Sequence, residues 1–508
     1  MKSTSLSLIA GAVALAAVTG FAAVTAPDGG GTTTAKAATR LPVERSSLLC
    51  PAPGLSDLAE TEYTSFTPAT KSGAAAGPAG TAELLSTVVK DAAKDTAKDK
   101  DKKTGKADPD KPVVLLKEPG KPATAEVSGA DAPALVGTAT GRLAPGWTAQ
   151  QTTTVEAGDA RGLLGTGCTV PDTDFWFPAA STAKSREDYV HLTNPDDTAA
   201  VADIELYGPE GPLKSEVGED ITVPARSGIR VLISTLTNKA EDDVTVHVTT
   251  RSGRVGAVVR TADDKSGSDW LAASTEPAST LVLPGIPADA TSVRLVAFAP
   301  GEDDADLTVK LLGRTGAISP AGNEELHVKS QMTVGVDLKA LTRGEPGSLL
   351  LSPAEKGKAT PVVAALRVVR GKGDKQEVGY IPATGPVGAQ ATAADNRAKG
   401  SVLSLTAPGA AGTVKVTASA GSKGGTPVSK TYKVAAGTTL AVIPPVPAGL
   451  KGTYALTVET QSGGPVHAAR TLTVPMDGIP MFTVQTLPDD RGTVEVPAAE
   501  QDLSVLDD

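Results

Sequence analysis

Few side chains in this 508-residue chain have the chemistry to react or to coordinate, and their spacing limits what each can do. The four histidines, His191, His247, His327 and His467, stand far apart, and no H-E-x-x-H pattern occurs, so no metal ligands and no cofactor are expected. No G-x-S-x-G elbow, P-loop or dinucleotide fingerprint falls in a strand–turn–helix context, so no catalytic residue is expected either. Cys50 and Cys168 are the only cysteines, and an even count in an exported chain favours a disulfide over two unrelated buried thiols. Acidic turns recur at Asp196-Asp197, Asp242-Asp243 and Glu302-Asp303-Asp304. They could supply oxygens to calcium, yet no loop follows an EF-hand pattern, and solvated hairpin ends are the simpler reading. Phe175-Trp176-Phe177 is the densest aromatic cluster, suited to stacking on a sugar or to packing between two domains.

The elements that must position these residues repeat. Val223, Val328 and Val434 lie 105 and then 106 residues apart, and so do Ile229, Val334 and Leu440. A period this regular means that one small structure is built several times. In one copy Ala202, Ile204 and Leu206 alternate with Asp203 and Glu205, the period of a strand with one wet face. Turns such as Asn194-Pro195-Asp196-Asp197 separate the runs, and nothing reads as a helix. Arg260, Arg367 and Arg470 close three copies in one column, with Gln151 in the same place in a divergent copy that opens at Leu48-Leu49-Cys50-Pro51. The expectation is an all-β chain of tandem immunoglobulin/fibronectin-III-like β-sandwich repeats after an N-terminal hydrophobic helix, with a β-propeller, two blades per copy, as the alternative. Expected boundaries are a linker at 27–45, sandwiches at 46–158, 168–264, 278–372 and 398–475, and a tail at 476–508 with a short strand. The first sandwich carries an insertion at 70–112, where Lys90, Lys94 and Lys98 interleave with Asp91, Asp95 and Asp99. This segment reads as a disordered loop, with a short helix near 81–98 as the alternative. A Cys50–Cys168 bridge would tie the ends of that domain together.

Composition places the protein more than it explains it. Lys2 precedes an uncharged run from Ser3 to Ala26, an export signal that ends either as a cleaved signal peptide or as an uncleaved anchor helix. Both put the remainder outside the cytoplasm. The net charge of −10 argues against a nucleic-acid partner. Aromatics make up only 3% of the residues, which suits small cores of Val, Leu, Ile and Ala.

The run from Gly141 to Gly211 also carries specific motifs. Ala144 to Gln150 reads APG-x-x-A-Q, Arg161 to Leu163 reads RGL, and Cys168 to Pro171 reads C-x-x-P; Trp176-Phe177 and the L-x-NP turn of Leu192 to Pro195 follow. In these the chain resembles an actinobacterial family of exported proteins, domain of unknown function 5719, over residues 140–215. The resemblance implies a cell-envelope setting, often beside a membrane glycosyltransferase, and brings no catalytic residues. The functional expectation is therefore a non-enzymatic, extracytoplasmic structural or interaction module of the cell envelope. Its partner would be an envelope protein or polysaccharide, with the membrane reached through the N-terminal helix. The alternatives are a glycan-binding accessory to a membrane glycosyltransferase and a hydrolase whose site the motifs do not reveal.

Overall fold

The computed structural model describes residues 39–496, apart from 55, 70–78, 92–110, 131, 159, 216 and 356. The N-terminal apolar run 1–26, expected as a helix, lies outside the described residues. Two compact bodies are present. In one, Thr39–Pro42 pairs with Thr493–Val496 as a two-stranded ribbon. The other spans 42–493 and contains all the larger sheets. The chain is all-β, and among the described residues the only helical turns are short 3-10 turns.

The body 42–493 is built from four copies of one plan. The second copy shows it in full. A leading sheet runs in the order Asp174–Ala180, Val244–Ser252, Ala200–Gly208, with Gly211–Leu213 and Ile221–Val223 both paired to the last of these. A trailing sheet runs Gly267–Leu271, Gly256–Asp263, Tyr189–Thr193, Ser227–Leu232. Alternation makes the first of these layers: Ala200, Ala202, Ile204 and Leu206 are buried while Asp203 and Glu205 turn outward. They meet Val190, Leu192, Ile229 and Val231 of the trailing sheet in one shared core.

The trailing sheets are buried on both faces. Gly256–Asp263 and Val363–Arg370 are almost wholly inaccessible along their length. The reason is cyclic packing: each leading sheet touches its own trailing sheet and also that of the next copy, and the fourth copy returns to the first. The last strand of each copy (Gly162–Gly167, Gly267–Leu271, Glu377–Pro382 and Phe482–Thr486) lies innermost, and these four contact one another in cyclic order. Each junction has its own chemistry. The first and second copies join edge to edge through parallel pairing of Ser227–Leu232 with Ala82–Asp91. Trp176, Tyr207, Phe298 and Val363 cluster between the second and third. Ala469, Phe482 and Val484 of the fourth enter the core of the third. The closing junction adds polar contacts to a small apolar cluster of Phe66, Ala394 and Ala455: Thr152 Oγ1 donates to Asp395 Oδ2 at 2.7 Å, and the Arg397 guanidinium lies 3.6 Å from Glu62.

Three expectations are corrected here. Ala82–Asp91 is a strand, not part of a disordered loop or a helix, because Ala82 and Leu84 fill the first core; residues 92–98 of that expected helix lie outside the described residues. Leu48–Cys50 belongs to the first strand of the leading sheet, paired with Ala134–Thr140, while the strand ending in the turn proline of this copy is Ala59–Phe66, before Pro68. The arginine column also divides. Ala149, Ala257, Ala364 and Ala468 each lie opposite the residue three before the turn proline. Counted from there, Arg260 and Arg367 are equivalent and face the preceding copy. Arg470 and Gln151 sit one position earlier, so they point into their own copies.

Candidate functional site

Where the four innermost strands end, the chain leaves the centre by four linkers, and these surround a cleft of about 660 Å³. Thr166 and Cys168 from the first copy contribute, as do Asp174 and Trp270 from the second, Tyr380 and Thr384 from the third, and Gln485 and Asp490 from the fourth. The walls are held by backbone hydrogen bonds. Asp172 and Val255 exchange N–H···O bonds at 2.9 and 3.0 Å, Thr275 N donates to Ala383 O at 2.9 Å, and Asp490 N donates to Gln390 O at 2.8 Å. Cys50 and Cys168 form a disulfide, with Cα atoms 4.4 Å apart. It fixes the end of the first innermost strand to the edge strand Arg45–Cys50, beside the Leu49–Thr169 backbone pair. The walls of the cleft are thus held by the chain's own backbone bonds and its disulfide.

Its charge is lopsided. Asp172, Asp174, Glu276, Asp489 and Asp490 line it, against Arg491. Partial burial, with Asp174 and Asp172 beside it, raises the Glu276 carboxyl above its ordinary range. Asp490 is pushed up to about 6, first by burial, although Gln390 Nε2 donates to it at 2.6 Å and Gly492 N at 3.1 Å. Asp174 Oδ2 reaches His247 Nε2 at 3.2 Å, while its buried Oδ1 has no partner. The indole Nε1 of Trp270, a residue only 3% exposed on the cleft wall, is also unpaired.

Below the cleft the axis is closed. Asp269 Oδ1 accepts from Gly165 N at 3.1 Å and Thr483 Oγ1 at 3.1 Å, joining three copies. Glu377 Oε1 accepts from Leu163 N at 3.0 Å. Burial drives both carboxyls up, Glu377 to about 8 and Asp269 well above its ordinary value. Gly267 has φ +82°, and a Cβ there would meet Arg161 O at 2.7 Å and Glu377 Oε2 at 3.0 Å, so only glycine fits. A second hollow, of about 440 Å³, opens at the far end beside Arg161, Asp263, Lys265 and Asp374.

Of the aromatic cluster only Phe175 reaches the cleft wall. Trp176 is 8% exposed; it stacks on His247 at 3.6 Å and on Phe298 at 5.5 Å between the second and third copies. Phe175 and Phe177 fill the second core. His247 nevertheless links this cluster to the cleft through Asp174. The other histidines do not converge: His191 packs edge-on against Trp270, His327 pairs with Asp306 at 2.7 Å, and His467 Nδ1 lies 3.0 Å from Thr384 O. Among the described residues, no group of His, Cys, Asp and Glu is arranged to hold a metal, and no helix is long and apolar enough to cross a membrane. The acidic turns find cations: Asp196 pairs with Arg254 at 3.0 Å, Asp197 with Arg226, and Asp243 with Arg294.

Asp172, Asp174, Glu276 and Asp490 were not singled out from the sequence. Asp172, Glu276 and Asp490 sit in linkers that do not resemble one another and Asp174 opens the strand after the first of them; only their common position after three of the innermost strands would have marked them. The profile of the Family of unknown function (DUF5719) matches residues 123–445. No curated protein matches.

Proposed function

The chain belongs to the Family of unknown function (DUF5719), and from that premise we propose that it is an extracytoplasmic, non-enzymatic binding module whose ligand site is the axial cleft. The ligand is a polysaccharide segment of the cell envelope. The observation that carries this reading is the cleft of about 660 Å³ at the meeting point of all four copies. Its carboxylates accept from pairs of sugar hydroxyls, and Thr166, Gln485 and the Trp270 indole supply further partners. The disulfide agrees with life outside the cytoplasm. In this reading each copy is an immunoglobulin-like sheet pair that also serves as two radial blades, so the sandwich and propeller expectations describe one object at two scales.

The test is calorimetric titration with soluble envelope polysaccharide, followed by mass analysis of the recovered polymer. Saturable binding with intact polymer, weakened by Asp174→Asn, supports the proposal; absence of binding removes it. A hydrolytic reading has one observation in its favour, the raised Glu276 carboxyl beside Asp174 and Asp172. Shortened polymer, restored to full length by Glu276→Gln, would replace the binding role with that one. Trp176 does not serve as a probe of sugar binding, because its loss would damage a junction between copies.

A further inference from the structure

The outer edge of the fourth copy is unlike the rest of the molecule. The protein carries a net charge of −10, yet no Asp or Glu occurs from Asn396 to Val458, while Arg397, Lys399, Lys415, Lys423, Lys430, Lys433 and Lys451 do. Arg397 is paired with Glu62 at 3.6 Å and Lys415 with Glu459 at 3.5 Å. Lys423, Lys430, Lys433 and Lys451 are exposed and have no carboxylate at ion-pair distance among the described residues. Lys423 N donates to Lys451 O at 3.1 Å, so two of the four are neighbours across the small ribbon Gly424–Thr426/Ala448–Lys451. The other two lie on Val428–Val434, the edge strand of the leading sheet; Lys430 projects over the Tyr432 ring at 5.1 Å.

Apolar side chains stand exposed in the same segment: Ile443 at 78%, Val428 at 37% and Val446 at 36%. Lysines alone would be explained as protection of an edge strand against pairing. That purpose does not call for exposed Ile443, nor for the removal of every acid over such a length. The outer edges of the second and third copies carry Glu219, Asp220, Glu324 and Glu325 instead.

We propose that this edge docks on a lipid bilayer surface bearing anionic phospholipid headgroups. The four lysines pair with phosphates, and Val428, Ile443 and Val446 enter the boundary between headgroups and acyl chains. A soluble polyanion would satisfy the lysines but give the apolar side chains nothing to enter.

The test uses the full chain carrying Ile443→Trp. The native Trp147, Trp176 and Trp270 are 3%, 8% and 3% exposed, so the new indole reports separately, whether or not the N-terminal run also enters the bilayer. Vesicles of phosphatidylcholine alone are compared with vesicles containing phosphatidylglycerol. Expected are a blue shift of the new indole and its quenching by brominated acyl chains, in the anionic vesicles only. Each Lys→Ala change at 423, 430, 433 or 451 should lower partitioning about fivefold, and added salt should oppose it. An indole that remains solvent-like on both vesicle types overturns the proposal. So does equal burial in both, or lysine-dependent binding to soluble polyphosphate with no response to vesicles.

Discussion

Glu377 should make the protein less stable as pH rises, and the size of the effect follows from where its carboxyl sits. Its side chain is fully buried among the innermost strands. Oε1 is held by Leu163 N–H, whereas Oε2 has no hydrogen bond even though Arg161 lies 3.8 Å away. Desolvation outweighs that distant cation, and the carboxyl titrates near pH 8 rather than at its ordinary value. A carboxyl raised in the folded state stays protonated where the unfolded chain has already lost its proton. Its contribution is therefore complete below the unfolded value of about 4.3 and is lost as pH climbs through about 8. The slope approaches about 1.4 kcal/mol per pH unit, or about 2.5 kcal/mol between about pH 5.5 and about pH 7.5. Glu377→Gln keeps an acceptor for Leu163 N–H and has no proton to lose. Urea unfolding of both proteins at stepped pH should show the variant gaining about 2.5 kcal/mol on the native protein between about pH 5.5 and about pH 7.5. Glu62, raised to about 7, and Asp490, raised to about 6, tilt both profiles equally, whereas Asp269, raised in part by the Glu377 charge, responds to the substitution, so the difference reads Glu377 together with Asp269. Parallel profiles for the two proteins would refute the reasoning.

Other expectations concern the same framework. Replacing Cys50 and Cys168 by Ser should cost about 2–4 kcal/mol, and a reductant should lower the thermal midpoint of the native protein to that of the variant. Trp176→Ala should cost about 3–5 kcal/mol, seen by denaturation and by faster hydrogen exchange in Ala290–Phe298 and Val363–Arg370, the strands opposite it. Gln151 is fully buried, and neither of its amide atoms finds a partner. Gln151→Met should therefore raise stability by about 1–3 kcal/mol, and a lower midpoint would reveal an ordered water satisfying that amide.

The repeating strands were legible because apolar alternation and turn prolines survive in every copy. Ala202-Ile204-Leu206 and Leu307-Val309-Leu311 announce the same strand without any knowledge of contacts. The innermost strands were not legible. Gly162–Gly167 and Glu377–Pro382 show no alternation, because both faces and one edge meet other copies, and glycine is required where carboxyls and backbone crowd in. The site depended on those strands and was hidden with them. The arginine column misled for a related reason: similar residue strings ending in Arg260 and Arg470 differ by one position in register, and in a sheet buried on both sides either face accepts an apolar run.

The order in which the chain is made gives the closing junction a further meaning. Nascent domains fold from the N-terminus onward. The first copy, with its disulfide, has every residue it needs once Cys168 has emerged. Yet its outward polar face, with Glu62 and Thr152, waits for Asp395 and Arg397 near the far end of the chain. Until then that face, Phe66 included, stays open to water. A stacked array can lengthen by one more copy and simply move its cap. Here the last copy made must fit the first, so the number of copies is set by closure.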